Sequence, residues 1–496
     1  MKKSIYITTT LPYVNSDPHI GFALEIIQAD ILARHYRKMG HDVFFNTGTD
    51  EHGQKIYEKA KELEEDTQAY TDRLAKKFDA LKPALNLSYN NFIRTTDEHH
   101  KEAAQEFWKR CLEVGDIYKK NYKVKYCVGC ELEKTDSEIV DGKCSIHLDK
   151  ELEIREEENY FFKFSKYQKK LLALYKKNPD FVVPESRFHE IKTFVEGGLD
   201  DFSISRLKAK MPWGVPVPDD PDQVMYVWFD ALVNYISALG WPKNVDSFAK
   251  WWPGVQFAGK DNLRQQSAMW QAMLMSADLP PSRQIIIHGF ITSGGIKMSK
   301  SLGNVVNPLD IVSKYGTDAL RYYLSREITP FEDGDFTEER FREAYNANLA
   351  NGLGNLVSRV VKMAENSEIN LDKSDKDIKP DREIDVLAKF YEKEMENYNF
   401  KGAMDAIWKI IGLMDASIQQ NQPFKKIKSE NQAEVGEAKE NIRFLLRDLW
   451  DISEMLEIFM PETSKKIKEA LDKNKIESPL FLRLEKMEAC PCDKDH

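Results

Sequence analysis

Apolar positions recur along this chain in two different periods. Ile5-Tyr6-Ile7-Thr8-Thr9 is β-branched and aromatic, which favours a strand. From His19 to about Met39, the residues Ile20, Leu24, Ile27, Ile31 and Tyr36 fall near helical spacing. Gly40 closes that helix, and residues 42–46 read as a second strand. A strand–helix–strand unit predicts a parallel sheet with helices on both faces. Such sheets bind ligands beyond the carboxyl ends of their strands. His19 and the run Thr47-Gly48-Thr49-Asp50-Glu51-His52-Gly53 fall there.

The alternation continues to about Val114, and residues 1–115 form the first half of the predicted α/β domain. Residues 116–225 lapse into short, charged, turn-rich pieces, which predicts an insertion into that domain. The α/β pattern resumes over 226–336, with a helix after Trp228, a strand at 255–258, a helix from Asn262 and a strand at Gln284–His288. From Thr337 the pattern changes. Amphipathic helical stretches at 337–364, about 383–421 and about 433–458 predict an all-α bundle of helical hairpins over 337–496. A polar linker at 366–382 separates the first two.

Composition changes this picture in three ways. A chain of 496 residues is too long for one core and predicts about three domains. Its net charge of −10 gives no general attraction for nucleic acid, so an RNA partner has to meet local clusters of Lys and Arg. Lys425, Lys426 and Lys428 form one such cluster. Six cysteines do not make a disulfide scaffold at this length. Thr8-Thr9-Thr10 and Pro12 interrupt any signal-peptide core, and no apolar run reaches about 18 residues. The chain reads as cytoplasmic, with no membrane span.

Four of the metal-ligating residues cluster. Cys127-Val128-Gly129-Cys130 is followed, thirteen residues on, by Cys144-Ser145-Ile146-His147. Two such knuckles supply three thiolates and one imidazole, a closed tetrahedral set for structural Zn2+. The zinc would staple a small insertion that lacks an adequate core of its own. The tail Cys490-Pro491-Cys492-Asp493 reads as a frayed end.

Gly294-Gly295-Ile296-Lys297-Met298-Ser299-Lys300-Ser301 sets two lysines and two serines on a glycine-flanked loop after the apolar run 285–287, which suits a polyanion. His19 and Gly21 open the first helix, whose free N–H groups suit a phosphate. Gly254-Val255-Gln256-Phe257-Ala258-Gly259-Lys260-Asp261 nearly spells a P-loop, but Asp261 replaces the required hydroxyl and 255–258 reads as strand. That reading is rejected.

Pro12-Tyr13-Val14-Asn15-Ser16-Asp17-Pro18-His19-Ile20-Gly21, together with the lysine loop, resembles the paired HIGH-like and KMSKS signatures of the class I aminoacyl-tRNA synthetases. Further detail, from about Ile5 to Pro461, is similar to the methionine-specific branch of that family. The resemblance implies a Rossmann-type catalytic domain with a zinc-knuckle insertion, then an α-helical anticodon-binding domain. It implies ATP with Mg2+, L-methionine and tRNA(Met) as substrates. A monomer is expected, because the sequence ends soon after the helical bundle with no dimer-forming tail in view. His19, Lys297 and Lys300 would be catalytic. ATP would meet His19, Gly21, Gly259, Asp261, Lys297, Ser299 and Lys300. Methionine would meet Leu11, Tyr13, Asp50, Trp228, Tyr235, Gln266 and Trp270, with Asp50 taking the ammonium group. Asn348 and Phe424 would meet the anticodon.

The sequence departs from the family pattern at several places. Phe22 stands where a second histidine is usual, Gln266 where a pocket histidine is frequent, Asn262 where an apolar residue is common, and Gly352 where some relatives place an arginine. Two readings of Phe424 stand side by side: stacking on an anticodon base, or core packing behind a helix that ends at Pro423. Alternatives for the whole chain are another class I synthetase, such as the cysteine enzyme, and a non-catalytic tRNA-binding paralogue. The second leaves the intact lysine loop unexplained.

Overall fold

The computed structural model describes residues 3–129, 132–134, 139–147, 150–298, 303–372, 374–375 and 381–485. Cys130, Ser299, Lys300, Cys490 and Cys492 lie outside the described residues. The chain packs as two units. One comprises Met1–Pro18, Tyr36–Lys82 and Ser88–His288; the other comprises His19–His35, Pro83–Leu87 and Gly289–His496. The helical half therefore recruits the start of the first helix and the lysine loop, and begins earlier than the boundary expected at 337.

A six-stranded parallel sheet organises the first unit. Its strands lie in the order Asn91–Arg94, Asp42–Thr49, Ser4–Thr8, Val255–Gly259, Gln284–His288, Val182–Val183. The strand order reverses beside Ser4–Thr8, and the loop that leaves this strand opens at that switch point. The second strand runs to Thr49, past the expected end at 46, because Asn46, Thr47, Gly48 and Thr49 pair with Asn91–Arg94. The near-P-loop run is a strand paired on both sides, as its β-branched and aromatic residues favour.

The insertion is built on one long antiparallel hairpin, Ile117–Cys127 against Glu153–Phe162. It is not wholly separate. Val182–Val183 returns to the parallel sheet beside Gln284–His288, a two-residue contribution with no periodicity to announce it. The helix expected after Trp228 is two short pieces, Val227–Ala231 and Asn234–Ser237. The helix expected from Asn262 opens with a 3-10 turn and contains a π-helical turn at Gln265–Met269 before Trp270–Ser276. Widened turns of this kind place several side chains on one face and recur at functional sites.

In the second unit the pattern 337–364 is one continuous helical stretch, capped where the Thr337 hydroxyl accepts from the Arg340 N–H and widened to a π-helix at Tyr345–Gly354. The pattern expected at 383–421 is two helices, Arg382–Glu396 and Phe400–Asn421, broken where Tyr398 takes φ 58°. Gln432–Leu456 follows as expected, and Pro461–Lys473 is an additional helix. A buried ion pair anchors the first helix, Ile20–Lys38, to this unit: Arg321 Nη2 lies 2.9 Å from Asp30 Oδ2, with both side chains fully buried. The same guanidinium donates to the carbonyls of Phe459, Ile458 and Leu85. Leaving either charge alone there would cost about 3–5 kcal/mol.

Candidate active site

The loop after the first strand and the end of the second strand meet through backbone pairing. Tyr13 and Asp50 form a parallel bridge, Asp50 N–H donates to the Pro12 carbonyl, and Val14 N–H donates to the Asp50 carbonyl. This fixes a buried Asp50 beside a half-buried Tyr13, with Leu11 just before them. The next residue holds the segment down. Glu51 pairs with Arg94 through two contacts of 2.7 and 2.8 Å, and its carbonyl accepts from Trp213 Nε1 at 2.6 Å.

His52 continues the run. Its Nδ1 lies 2.6 Å from Asp230 Oδ2, while His100 Nε2 lies 2.8 Å from Asp230 Oδ1 and His100 Nδ1 lies 2.9 Å from Ser237 Oγ. All four side chains are buried. Burial alone would push the Asp230 carboxyl up; the two imidazoles outweigh it and hold the group at about 2. Sequence reasoning missed this cluster, whose members carry no local spacing. The one available signal was a histidine two places after Asp50 and an aspartate two after Trp228.

Trp228 remains partly exposed, whereas its neighbours Phe229 and Asp230 are buried. Tyr235, Gln266 and Trp270 come together: Gln266 Nε2 donates to the Tyr235 hydroxyl at 2.6 Å, and the Tyr235 and Trp270 rings lie 6.0 Å apart. Trp270 also stacks on Phe107 at 5.6 Å, which makes it part of the aromatic core. Gly259 ends its strand, and Asp261 sits exposed on the following turn, where its Oδ1 accepts from Asn262 Nδ2 at 3.4 Å.

Within the second unit, the start of the first helix meets the segment that follows the lysine loop. Ile20 N–H donates to the carbonyl of Val306, just beyond the lysine loop. The His19 ring folds onto the helix start: Gly21 N–H donates to its Nδ1 at 3.1 Å, and a Cβ at Gly21 would come within 2.9 Å of the ring. Desolvation lowers the His19 pKa from 6.5, so the ring is neutral near pH 7 and Nε2 carries the proton. Phe22, at the place of the second family histidine, is a buried residue of the first helix.

Gly294 and Gly295, at φ 62° and 75°, make the two-residue turn of a hairpin in which Thr292 pairs with Lys297. Lys297 is thus on a short exposed strand, and the expected loop is shorter than its sequence span. Asp335 pins this hairpin. Its Oδ1 accepts from the Gly295 N–H at 2.7 Å and from the Thr292 hydroxyl at 2.8 Å.

Cys127, Cys144 and His147 place their ligand atoms within 4.8 Å of one another, and both cysteines are buried. The His147 ring leaves no room for a Cβ at Gly129, which explains that glycine. Among the described residues, two soft thiolates and an imidazole fit a zinc ion; Cys130, the expected fourth ligand, lies outside them. Asn348 lines a cavity together with Asp335 and Arg340, and Phe424 is not among its walls. Phe424 is 40% exposed while Pro423 is buried, so the core reading of this phenylalanine fails.

The family described as tRNA synthetases class I (M) matches residues 5–151 and 132–361. A methionine–tRNA ligase of Thermotoga maritima is 42% identical over 473 residues, covering 93% of this chain and 74% of the relative. One from Thermosynechococcus vestitus is 49% identical over 370 residues, covering 73% of this chain and 70% of the relative. The fold is similar to Mycobacterium tuberculosis methionyl-tRNA synthetase in complex with methionyl-adenylate, with a TM-score of 0.89 and 35% identity over 97% of this chain and all of that one. This chain belongs to the methionine–tRNA ligase family of the class I tRNA synthetases, and is an aminoacyl-tRNA synthetase.

Proposed function

We propose that this chain activates L-methionine with ATP and transfers it to tRNA(Met). A methionine carboxylate oxygen attacks the α-phosphorus of ATP in line, and pyrophosphate leaves. A ribose hydroxyl at the tRNA 3′ end then attacks the adenylate carbonyl, and AMP leaves. The chain's part is positioning and electrostatics rather than covalent chemistry. The observation that carries this reading is the bridge between Tyr13 and Asp50 at the switch point of the parallel sheet, which holds a buried carboxylate where a substrate ammonium can pair with it.

In this reading Leu11, Tyr13, Trp228, Tyr235, Gln266 and Trp270 surround the methionine side chain. Sulfur–aromatic contacts there are worth about 0.3–1.5 kcal/mol. His19 donates through Nε2 to a phosphate oxygen. Gly21 lets the nucleotide lie against the backbone, although the N–H groups of Phe22 and Ala23 already donate to the His19 carbonyl. Lys297 and Lys300 follow charge onto the pyrophosphate. Gly259 and Asp261 hold the adenosine ribose, and Ser299 adds a hydroxyl. Mg2+ bound with ATP neutralises phosphate charge. Zn2+ on Cys127, Cys130, Cys144 and His147 is structural. Asn348 and Phe424 meet the anticodon. The domain roles follow: 1–115 and 226–336 catalyse, 116–225 carries the zinc, and 337–496 reads tRNA. The protein acts as a monomer in the cytoplasm.

The test is ATP–pyrophosphate exchange with each amino acid in turn. Exchange driven by methionine alone is expected. Exchange driven by a different amino acid would keep the class and overturn the pocket.

A further inference from the structure

The helix that follows Asn262 widens to a π-helical turn at Gln265–Met269 before it continues as Trp270–Ser276. Gln266 and Trp270, two of the residues placed around methionine, lie at either end of that turn. Four residue steps of α-helix rotate the chain through about 400°. The same steps in a wider turn rotate it less. The angle between these two side chains therefore depends on whether the widened turn persists. Such turns are rare in helices, so this one calls for support from elsewhere in the fold.

Two side chains supply it, each by donating to a carbonyl of the turn. Gln271 Nε2 donates to the Gln266 carbonyl at 2.7 Å, and the Tyr175 hydroxyl donates to the Ser267 carbonyl at 2.7 Å. Gln271 is itself fixed. Its Nε2 also donates to Ser282 Oγ at 3.0 Å, its Oε1 accepts from the Ser282 N–H at 2.9 Å, and Ser282 Oγ donates to Gln256 Oε1 at 2.5 Å. Both amide hydrogens and the amide oxygen of Gln271 are thus used, which settles its orientation. Gln256 lies on the interior strand Val255–Gly259, so this tie runs into the parallel sheet.

Tyr175 comes from the other side, on the helix Gln168–Lys177 of the insertion. Its ring packs on Phe181 and Phe188, with centres 6.0 and 5.8 Å away. Burial pushes its hydroxyl pKa up, so the proton stays available for donation. Tyr175, Gln256 and Gln271 are each at most 1% exposed, so a carbonyl that loses its donor here has poor access to solvent.

We infer that Gln271 and Tyr175 are positioning residues for the amino-acid pocket. They hold the turn by adjacent carbonyls, from the sheet on one side and the insertion on the other, and so set Gln266 and Trp270 against Tyr235. Neither is asked to touch the substrate. Their effect falls on which side chain the pocket accepts, where a single methylene is worth about 10- to 200-fold. The inference rests on the function proposed above.

Tyr175→Phe removes one hydroxyl and keeps the ring packing. Gln271→Met keeps the side-chain length and removes both donors. Tyr118→Phe serves as the control, since it removes a comparable bond, to Asp201 Oδ2 at 2.9 Å, elsewhere in the insertion. ATP–pyrophosphate exchange is measured over ranges of methionine, of ethionine (one methylene longer) and of ATP. Tyr175→Phe should raise the KM for methionine about threefold to tenfold and Gln271→Met about tenfold or more, with the KM for ATP held within about twofold. The preference for methionine over ethionine should fall about fivefold. A KM for methionine and a preference that move no further in Tyr175→Phe than in Tyr118→Phe would overturn the inference, even if Gln271→Met failed to fold. Equal rises in the KM for methionine and for ATP would overturn it too. Absence of methionine-driven exchange in the unaltered protein would instead overturn the function on which it rests.

Discussion

His52 and Asp230 are 178 positions apart in sequence, yet His52 Nδ1 lies 2.6 Å from Asp230 Oδ2 in the interior. The contact joins two elements that carry proposed pocket residues. His52 follows Asp50 by two places, and Asp230 shares a helical turn with Trp228. His100, on the other carboxylate oxygen, extends the tie to Ser237, two places after Tyr235.

Asp230→Asn leaves one oxygen to serve two imidazoles and removes the negative charge. Thermal unfolding should show a loss of about 3 kcal/mol. Pyrophosphate exchange should show a KM for methionine raised about tenfold, with the KM for ATP nearly unchanged. A variant with normal KM for methionine would reduce the cluster to a fold support.

The same carboxyl sets a pH dependence. It titrates near 3.8 in the unfolded chain and at about 2 in the folded one. The unfolded state therefore binds the proton first as pH falls. The resulting stabilisation, about 2 kcal/mol, is complete above about pH 4 and lost as pH drops through 2. Wild type and Asp230→Asn should accordingly differ most in stability above pH 4 and converge below it. A gap that stays constant from pH 5 to 2 would refute the assignment.

Metal analysis of the purified protein should find one zinc per chain. Cys144→Ser should lose it, and proteolysis should then cut first in the insertion between 117 and 162 while the parallel-sheet core persists. Full zinc content in that variant would rule out Cys144 as a ligand.

Asp335→Ala removes the acceptor for both the Gly295 N–H and the Thr292 hydroxyl. The hairpin that carries Lys297 loses its anchor. Adenylate formation should slow by about tenfold to a hundredfold, as for other misplaced catalytic groups, while methionine binding stays close to normal. Rapid-quench measurement of the first turnover separates the two; a normal rate would show that the hairpin positions itself without Asp335.

The elements that could be read from sequence are those whose period matches their burial. Ile5–Thr8, the helix from Ile20 and the strand at Gln284–His288 each carry an unbroken apolar pattern, and the two signatures and the knuckle spacing are local. What escaped has no local pattern. Val182–Val183 is too short for alternation, and the break at Tyr398 lies inside an apparently continuous helical period. The polar pairs His52 with Asp230, Arg94 with Glu51, Arg321 with Asp30, and Asp335 with Gly295 bridge residues remote in sequence. Pairing of that kind is decided by tertiary packing alone. Trp270 shows the converse: the sequence places it at a pocket position, but only its stacking on Phe107 shows how much of it serves the core.

The buried contact between Arg321 and Asp30 also governs how errors spread through this molecule. Asp30 belongs to the first helix, Ile20–Lys38, and Arg321 is held by carbonyls at Phe459 and Ile458. A backbone shift at Phe459 therefore reaches that helix through a single guanidinium. Genetic screens for impaired nucleotide chemistry should recover lesions at this remote corner, among residues that never approach a phosphate.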